Sequence, residues 1–311
     1  MDKTIQIICH YAAGNGYAEK QLEKVTKELH RLQLAYIIHR TNYATHASSI
    51  TQKIIEQFDE THPHIIVIGG DGTLHQVVNT LYQNHFQIPI TYIAGGTGND
   101  FHRTWLKDKS IEQLIQQIAF NAPATEIPMI RYQLDDEEKS HLILNNMGFG
   151  FDGLINYYVQ KQRHSAAAKW LQKFRLNYIS AIFPSLRSIP HFSVKGTLDG
   201  KPFQFDQVNI ATIINSPYNG GGIRISDVAV ATNDEINFTL FHDVTLSSAL
   251  PLIYKVLISK NQRTSPNVTH LKGQHLTLEV LHPVIGQVDG EVLYPQTYTV
   301  ECHVARYPFN L

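Results

Sequence analysis

The chain has 311 residues, room for about two domains at roughly 150 residues each. Its 26 basic and 27 acidic side chains leave a net charge of −1, and 43% of residues are hydrophobic against 17% charged. That balance excludes a disordered chain and speaks against a nucleic-acid binder, which carries a basic excess. Cys9 and Cys302 lie almost a chain length apart in apolar stretches. They suit small core side chains in a reducing, cytoplasmic setting better than a disulfide framework. The apolar run at 5–9 is too short for the core of a signal peptide, and no run approaches the ~20 residues of a membrane-spanning helix. Seventeen histidines raise the question of a bound metal. They are scattered: only His62 and His64 fall within two residues of each other, and no His-Glu-x-x-His or paired Cys-x-x-Cys spacing occurs. The expectation is surface or structural histidines rather than a metal set.

In chain order, residues 4–10 form a short apolar run that ends in Gly14-Asn15-Gly16. Leu22, Val25, Leu29 and Leu32 then recur at helical spacing over 18–32. Residues 34–39 read as a second strand and 47–58 as a helix carrying Ile50, Ile54, Ile55 and Phe58. Ile65-Ile66-Val67-Ile68 is a β-branched run suited to a strand buried on both faces of a parallel sheet. It enters Gly69-Gly70-Asp71-Gly72-Thr73 and a helix through Leu74, Val77, Val78 and Leu81. A strand at 90–94 enters Gly95-Gly96-Thr97-Gly98-Asn99-Asp100. Alternating strand and helix predicts a parallel sheet covered by helices.

After Pro123 the pattern changes. Strands at 126–134 and 141–147 flank Asp135-Asp136-Glu137-Glu138, a solvated hairpin turn, and a helical block spans 154–186. Short strands follow at 192–198, 203–214, 236–241, 276–281 and 298–304. These predict an antiparallel sandwich. The fold class expected is therefore α/β plus β: an N-terminal doubly wound α/β nucleotide-binding domain and a C-terminal antiparallel β-sandwich domain.

The chemistry concentrates where strands give way to glycine loops. Glycines let backbone amides approach phosphate oxygens, and a helix N-terminus stabilises their charge. An aspartate inside such a loop repels phosphate unless a cation intervenes, so Asp71 suits a Mg²⁺ shared with phosphates. Thr97 and Asn99 offer neutral hydrogen bonds, and Arg103 could stabilise phosphoryl charge. Gly14-Asn15-Gly16 lacks the third glycine of a dinucleotide fingerprint, and no Walker A sequence is present. Near the far end, the Asp289-Gly290-Glu291 turn presents Glu291 as a candidate base.

These segments together resemble the diacylglycerol kinase catalytic family, the bacterial soluble lipid kinases with their sphingosine and ceramide kinase relatives. The resemblance rests on Gly69-Gly70-Asp71-Gly72-Thr73 with Asn79, and on Gly96-Thr97-Gly98-Asn99-Asp100-Phe101 with Arg103. Asn146-Met147-Gly148-Phe149-Gly150-Phe151-Asp152, Gly220-Gly221-Gly222 and Asp289-Gly290-Glu291 complete it. It implies an ATP-binding domain at 1–125, rejoined by 300–311, and a lipid-substrate domain at 126–299, flanking a cleft. ATP would be held by Thr41, by Gly69, Gly70, Asp71, Gly72, Thr73, Leu74 and His75, and by Gly96, Thr97, Asn99 and Arg103. Glu291 would be the general base toward a lipid alcohol, diacylglycerol above all, with Asp71 positioning Mg²⁺ and the phosphates. The alternatives are NAD kinase-like chemistry and a non-catalytic, nucleotide-regulated lipid-binding protein. By analogy with the family, a homodimer is possible.

Two departures stand out. His10-Tyr11 replaces the family's usual Asn-Pro. Asn233-Asp234-Glu235-Ile236-Asn237 stands where many bacterial members carry Asp-Gly-x-Leu-Asp around a structural Mg²⁺. Val230, Asn233, Asp234 and Glu235 are the candidate ligands there, and a neutral Asn binds a hard cation less strongly. Finally, residues 154–198 hold seven basic and no acidic side chains: Lys161, Arg163, Lys169, Lys173, Arg175, Arg187 and Lys195. The rest of the chain is therefore net negative. With Trp170, Phe174 and Tyr178 interleaved, this segment is a candidate for transient contact with an anionic membrane surface.

Overall fold

The computed structural model describes residues 4–43, 45–57, 64–135, 137–162, 177–219, 221–224, 234–256 and 264–311. The chain forms two compact units, Met1–Ile127 with Arg306–Leu311, and Pro128–Ala305.

The first unit alternates strand and helix: β1 (Ile5–Cys9), α1 (Tyr17–Arg31), β2 (Tyr36–Arg40), α2 (His46–Glu56), β3 (Ile65–Gly69), α3 (Asp71–Gln83), β4 (Ile90–Ala94), α4 (Asp100–Trp105) and α5 (Ile111–Ala119). β1 pairs in parallel with both β2 and β3, and β3 pairs in parallel with β4. Every residue of β3 and β4 is buried, which is why their sequences are nearly all apolar, whereas β2 lies at the edge and leaves Ile37 exposed. Truncating the fully buried Ile66 to Ala would cost about 2–5 kcal/mol. The order β2-β1-β3-β4 reverses direction at β1, so the loops after β1 and β3 flank a topological switch point, where open α/β sheets bind ligands. The α5 N-terminus is closed by a capping box between Ser110 and Gln113. At the chain's end, Phe309 pairs in parallel with Ile90, and the Tyr307 hydroxyl donates to the Ile88 carbonyl at 3.1 Å.

Between these units the chain runs through β5 (Thr125–Leu134). The second unit continues with β6 (His141–Ile143), β7 (Asn146–Gly150), α6 (Phe151–Gln162), α7 (Asn177–Ser185), β8 (Phe192–Leu198), β9 (Lys201–Ile214), β10 (Tyr218–Asn219) and β11 (Ile223–Arg224). Then come β12 (Ile236–His242), α8 (Leu246–Tyr254), β13 (Val268–Gly273), β14 (His275–Val288) and β15 (Glu291–Phe309). β9 pairs antiparallel with β7 along one part of its length and with β8 along another, and β14 does the same. The four strands therefore close a ring of pairings around a core that includes Phe149, Phe192, Val194, Phe238, Leu278 and Val300. Cys302 belongs to this core, and Cys9 is buried in β1; both are free thiols.

Sequence and structure differ at definite places. The strand read over 141–147 is two strands, broken at Leu144-Asn145, where backbone amides turn to bond a distant carboxylate, that of Asp289. The helical block read over 154–186 begins earlier, at Phe151, and is described as α6 and α7, with 163–176 outside the described residues. Helix α8 and strand β13 lie where the sequence suggested no element.

Candidate active site

In the first unit, three glycine loops meet backbone to backbone. A Cβ on Gly96 would sit 2.4 Å from the Gly70 Cα, one on Gly14 would sit 2.5 Å from the Gly95 carbonyl oxygen, and one on Gly95 would meet Ala18 at 2.7 Å. The Gly95 amide donates to the Gly69 carbonyl at 2.7 Å, and the buried Tyr92 hydroxyl donates to the same oxygen at 3.1 Å. Only glycine permits such approach, which explains why these loops are glycine-rich in the sequence.

Gly69 is the last residue of β3 and Gly70 caps α3, so Asp71 to His75 form the first turns of that helix. The Thr73 and Leu74 amides donate to the Gly70 carbonyl at 3.0 and 3.2 Å, and the helix start carries partial positive charge. The Thr73 side chain packs on Gly69, and Leu74 is fully buried, so Leu74 could face a ligand only through its backbone. Asp71 has a structural task that the sequence did not reveal. Its carboxylate accepts the Asp100 amide at 3.1 Å and the Phe101 amide at 3.0 Å, tying the start of α3 to the start of α4. Asn99, in the left-handed region at φ 56°, accepts the Gly96 amide at 3.0 Å and returns a bond to the Gly96 carbonyl at 2.8 Å. Arg103 pairs with the buried Asp100 at 2.9 Å and also donates to the Gly98 carbonyl. Thr97 is exposed at the loop tip. Burial, aided by the negative charges of Asp71 and Asp100, pushes the Tyr92 hydroxyl well above its ordinary range, and burial lowers His10. Thr41 follows β2: its amide donates to the Cys9 carbonyl at 3.0 Å, while its hydroxyl oxygen is buried with no partner among the described residues. The nearby Tyr43 ring stacks on His46 at 4.2 Å.

In the second unit, the 289–290 turn joins β14 to β15 and sets Glu291 at the exposed start of β15, opposite Val288. Asp289, at φ 49°, points its carboxylate back to the backbone amides of Leu144 (3.0 Å), Asn145 (2.7 Å) and Asn146 (3.1 Å). Gly290, at φ 88°, donates its amide to Gln287 Oε1 at 2.9 Å. The fully buried Gln287 in turn donates to Asn146 Oδ1 at 2.5 Å and to Asp152 Oδ2 at 2.7 Å. The turn that presents Glu291 is thus tied to a buried polar network of Gln287, Asn146 and Asp152, in which Asn146 Nδ2 has no partner among the described residues. The sequence pointed to the 146–152 motif only as corroboration, and Gln287 carried no local signal at all.

Asp152 also lines an apolar cavity of about 110 Å³ within this unit, walled by Phe151, Ile155, Ile182, Leu186, Ile210, Phe241 and Leu252 among others. Among the described residues its polar lining is Asp152, Asn209 and Thr212. The volume is comparable to the ~150 Å³ cavity that takes up benzene, room for a stretch of hydrocarbon.

The sequence pattern of the diacylglycerol kinase catalytic domain matches residues 4–131, and that of the YegS C-terminal NAD kinase beta sandwich-like domain matches residues 146–306. The chain belongs to the diacylglycerol kinase catalytic family. Among relatives, it is 23% identical over 290 residues to a protein of Bacillus subtilis (strain 168) named "Putative lipid kinase YtlR", covering 92% of each chain. A similarly named protein, SERP0390 of Staphylococcus epidermidis, is 25% identical over 280 residues, covering 90% of this chain and 84% of that one. A solved diacylglycerol kinase of Bacillus anthracis str. Sterne superposes with a TM-score of 0.68 at 19% identity, over 99% of this chain and 96% of that one, which speaks for the fold. As a member of this lipid kinase family the chain is a kinase, and ATP is the phosphate donor the family implies.

Of the structural-metal candidates, Val230 and Asn233 lie outside the described residues. Glu235 pairs its carboxylate with Lys272 at 3.3 Å and accepts Asn237 Nδ2 on its carbonyl at 3.5 Å. The Asp234 carbonyl accepts Gln274 Nε2 at 3.5 Å. In the basic segment, Arg163, Lys169, Trp170, Lys173, Phe174 and Arg175 lie outside the described residues, as do the side chains of Tyr178 and Arg187. Lys195 pairs with Glu279 at 3.0 Å, and Lys161 lies 6.0 Å from the Tyr157 ring. Among the described residues, no helix is long and apolar enough to cross a membrane.

Proposed function

We propose that this kinase transfers the γ-phosphoryl group of ATP to the hydroxyl of a diacylglycerol. The observation that carries this reading is the apolar cavity whose carboxylate, Asp152, is bonded through Gln287 to the backbone of the turn bearing Glu291. A hydrocarbon chain in that cavity would bring its polar end toward Asp152, which two hydrogen bonds through Gln287 link to Gly290, the residue before the proposed base. Glu291, exposed on a braced turn, accepts the hydroxyl proton as the oxygen attacks phosphorus.

The amides at the start of α3 and the glycine backbones at 69–72 and 95–98 hold the phosphates. Thr97, Asn99 and Thr41 supply neutral hydrogen bonds to the nucleotide, and the orphaned Thr41 hydroxyl supports such a part. Mg²⁺ fits Asp71 by the chemistry of the donor, a carboxylate at the first residue of α3 where the phosphates would lie. When bound, the ion would neutralise phosphate charge, and positioning with charge stabilisation accounts for most of phosphoryl-transfer catalysis. Contact with an anionic bilayer through the 154–198 segment, in a cytoplasmic protein that visits the membrane, would deliver the lipid. Charge reversal at Lys169 and Lys173 would then weaken pelleting with anionic vesicles.

The test is a panel of acceptors, namely diacylglycerol, monoacylglycerol, ceramide, sphingosine and NAD, incubated with the protein and Mg²⁺-ATP. Phosphorylation of diacylglycerol in preference to the others supports the proposal. Preference for another lipid alcohol overturns the acceptor, and phosphorylation of NAD alone overturns the lipid reading.

A further inference from the structure

No two histidines close in the sequence show a ligand spacing. The antiparallel pairing of β14 with β15 assembles one regardless. His275 lies directly opposite His303 in the register, and Glu301, two residues before His303, shares its face of the strand. The two imidazoles stack with centroids 4.1 Å apart and planes 12° from parallel. Each Nε2 lies 3.0 Å from the same Glu301 oxygen, Oε1. The strand end that carries His275 is held in place. Asp199 Oδ1 accepts the Gln274 and His275 amides, both at 2.9 Å, and the Asp199 amide donates to the His275 carbonyl at 2.9 Å.

We propose that His275, His303 and Glu301 bind one divalent transition-metal ion of the Zn²⁺ type. Two imidazole nitrogens and a carboxylate form a recognised zinc ligand set, and three protein ligands leave one position for water or another donor. Bonds of about 2.0–2.1 Å at angles between 90° and tetrahedral place ligand atoms about 2.9–3.4 Å apart. The 3.0 Å Nε2–Oε1 separations already match that spacing. Both nitrogens now face a carboxylate oxygen. An ion would replace those contacts once each ring carries its proton on Nδ1, a tautomer change with no net loss of charge. Half-exposed side chains leave a route for the ion.

The experiment is Zn²⁺ titration of EDTA-treated full-length protein by calorimetry, with Co²⁺ absorption as a second readout. The wild type is compared with His275→Ala, His303→Ala, Glu301→Gln and, as a control histidine elsewhere, His30→Ala. The expected result is one ion per chain, with binding weakened at least about 10-fold in each of the first three variants and unchanged in the fourth. The melting temperature should rise with Zn²⁺ in the wild type and less in the three site variants. Because these side chains are partly exposed, the variants should keep the wild-type circular dichroism, and Glu301→Gln alters the site with the least change in shape. Equal Zn²⁺ affinity in wild type and site variants, or no binding by the wild type, overturns the proposal.

Discussion

Replacing Gly96 by Ala should disable nucleotide binding in a way that contact geometry makes quantitative. The new Cβ would lie 2.4 Å from the Gly70 Cα and 3.1 Å from the Gly70 nitrogen. Non-bonded carbons prefer about 3.5–4.0 Å, so the 69–72 and 95–98 loops must separate by about an ångström. Asn99 Oδ1 also lies 3.0 Å away, but the nearest obstacle is the Gly70 backbone, which no side-chain rotation relieves. Overpacking of this kind costs about 1–3 kcal/mol. If the displacement is expressed in the phosphate-binding geometry, ATP affinity falls by about 5- to 150-fold. Gly200→Ala is the control: its φ of +76° makes alanine strained, yet its Cβ would meet nothing within 4 Å. It should lower stability by about 1–2 kcal/mol with no change in ATP affinity. The assay is ATP titration by calorimetry alongside thermal melting of both variants. A folded Gly96→Ala protein that binds ATP within twofold of the wild type would refute the view that these abutting loops form the nucleotide site.

Other consequences follow from the second unit and the thiols. Asp289→Ala strands three backbone amides at 144–146 and should cost about 3 kcal/mol or more in urea denaturation, with Asp289→Asn recovering part of the loss. Burial raises the Cys9 thiol to about 12 and raises Cys302 as well, so neither should react with a thiol reagent at neutral pH until the protein unfolds. Glu301 has its folded value depressed, so its stabilising bonds to His275 and His303 are present above the unfolded value of about 4.5 and fade as pH falls through the folded one. The stability difference between wild type and Glu301→Gln should therefore shrink as pH falls below that value, as measured by denaturation at a series of pH values.

What the sequence revealed was what lies close in sequence. A β-branched run entering Gly69-Gly70-Asp71-Gly72 reads directly as a buried strand, a tight turn and a helix start, because each signal is local. Asp71 reads as a phosphate-side carboxylate, but its amide partners at Asp100 and Phe101 are brought to it only by the parallel packing of β3 beside β4. The break at Leu144-Asn145 is invisible in an apolar run, since the group that causes it sits at Asp289. Helix α8 escaped notice because Pro251 interrupts a short apolar stretch, although Thr245 and Ser248 cap its start. Gln287 looks like any strand residue until its three partners, on β7, α6 and the 290 turn, surround it. His275 and His303 are neighbours only through strand register.

The central claim, that Glu291 takes the proton from the acceptor hydroxyl, is tested most directly by Glu291→Gln. The substitution keeps size and hydrogen bonding on an exposed strand start while removing the base. ATP affinity should stay within about twofold of the wild type while lipid phosphorylation falls by about 10²- to 10⁴-fold. Lipid turnover at the wild-type rate in that variant would contradict the account.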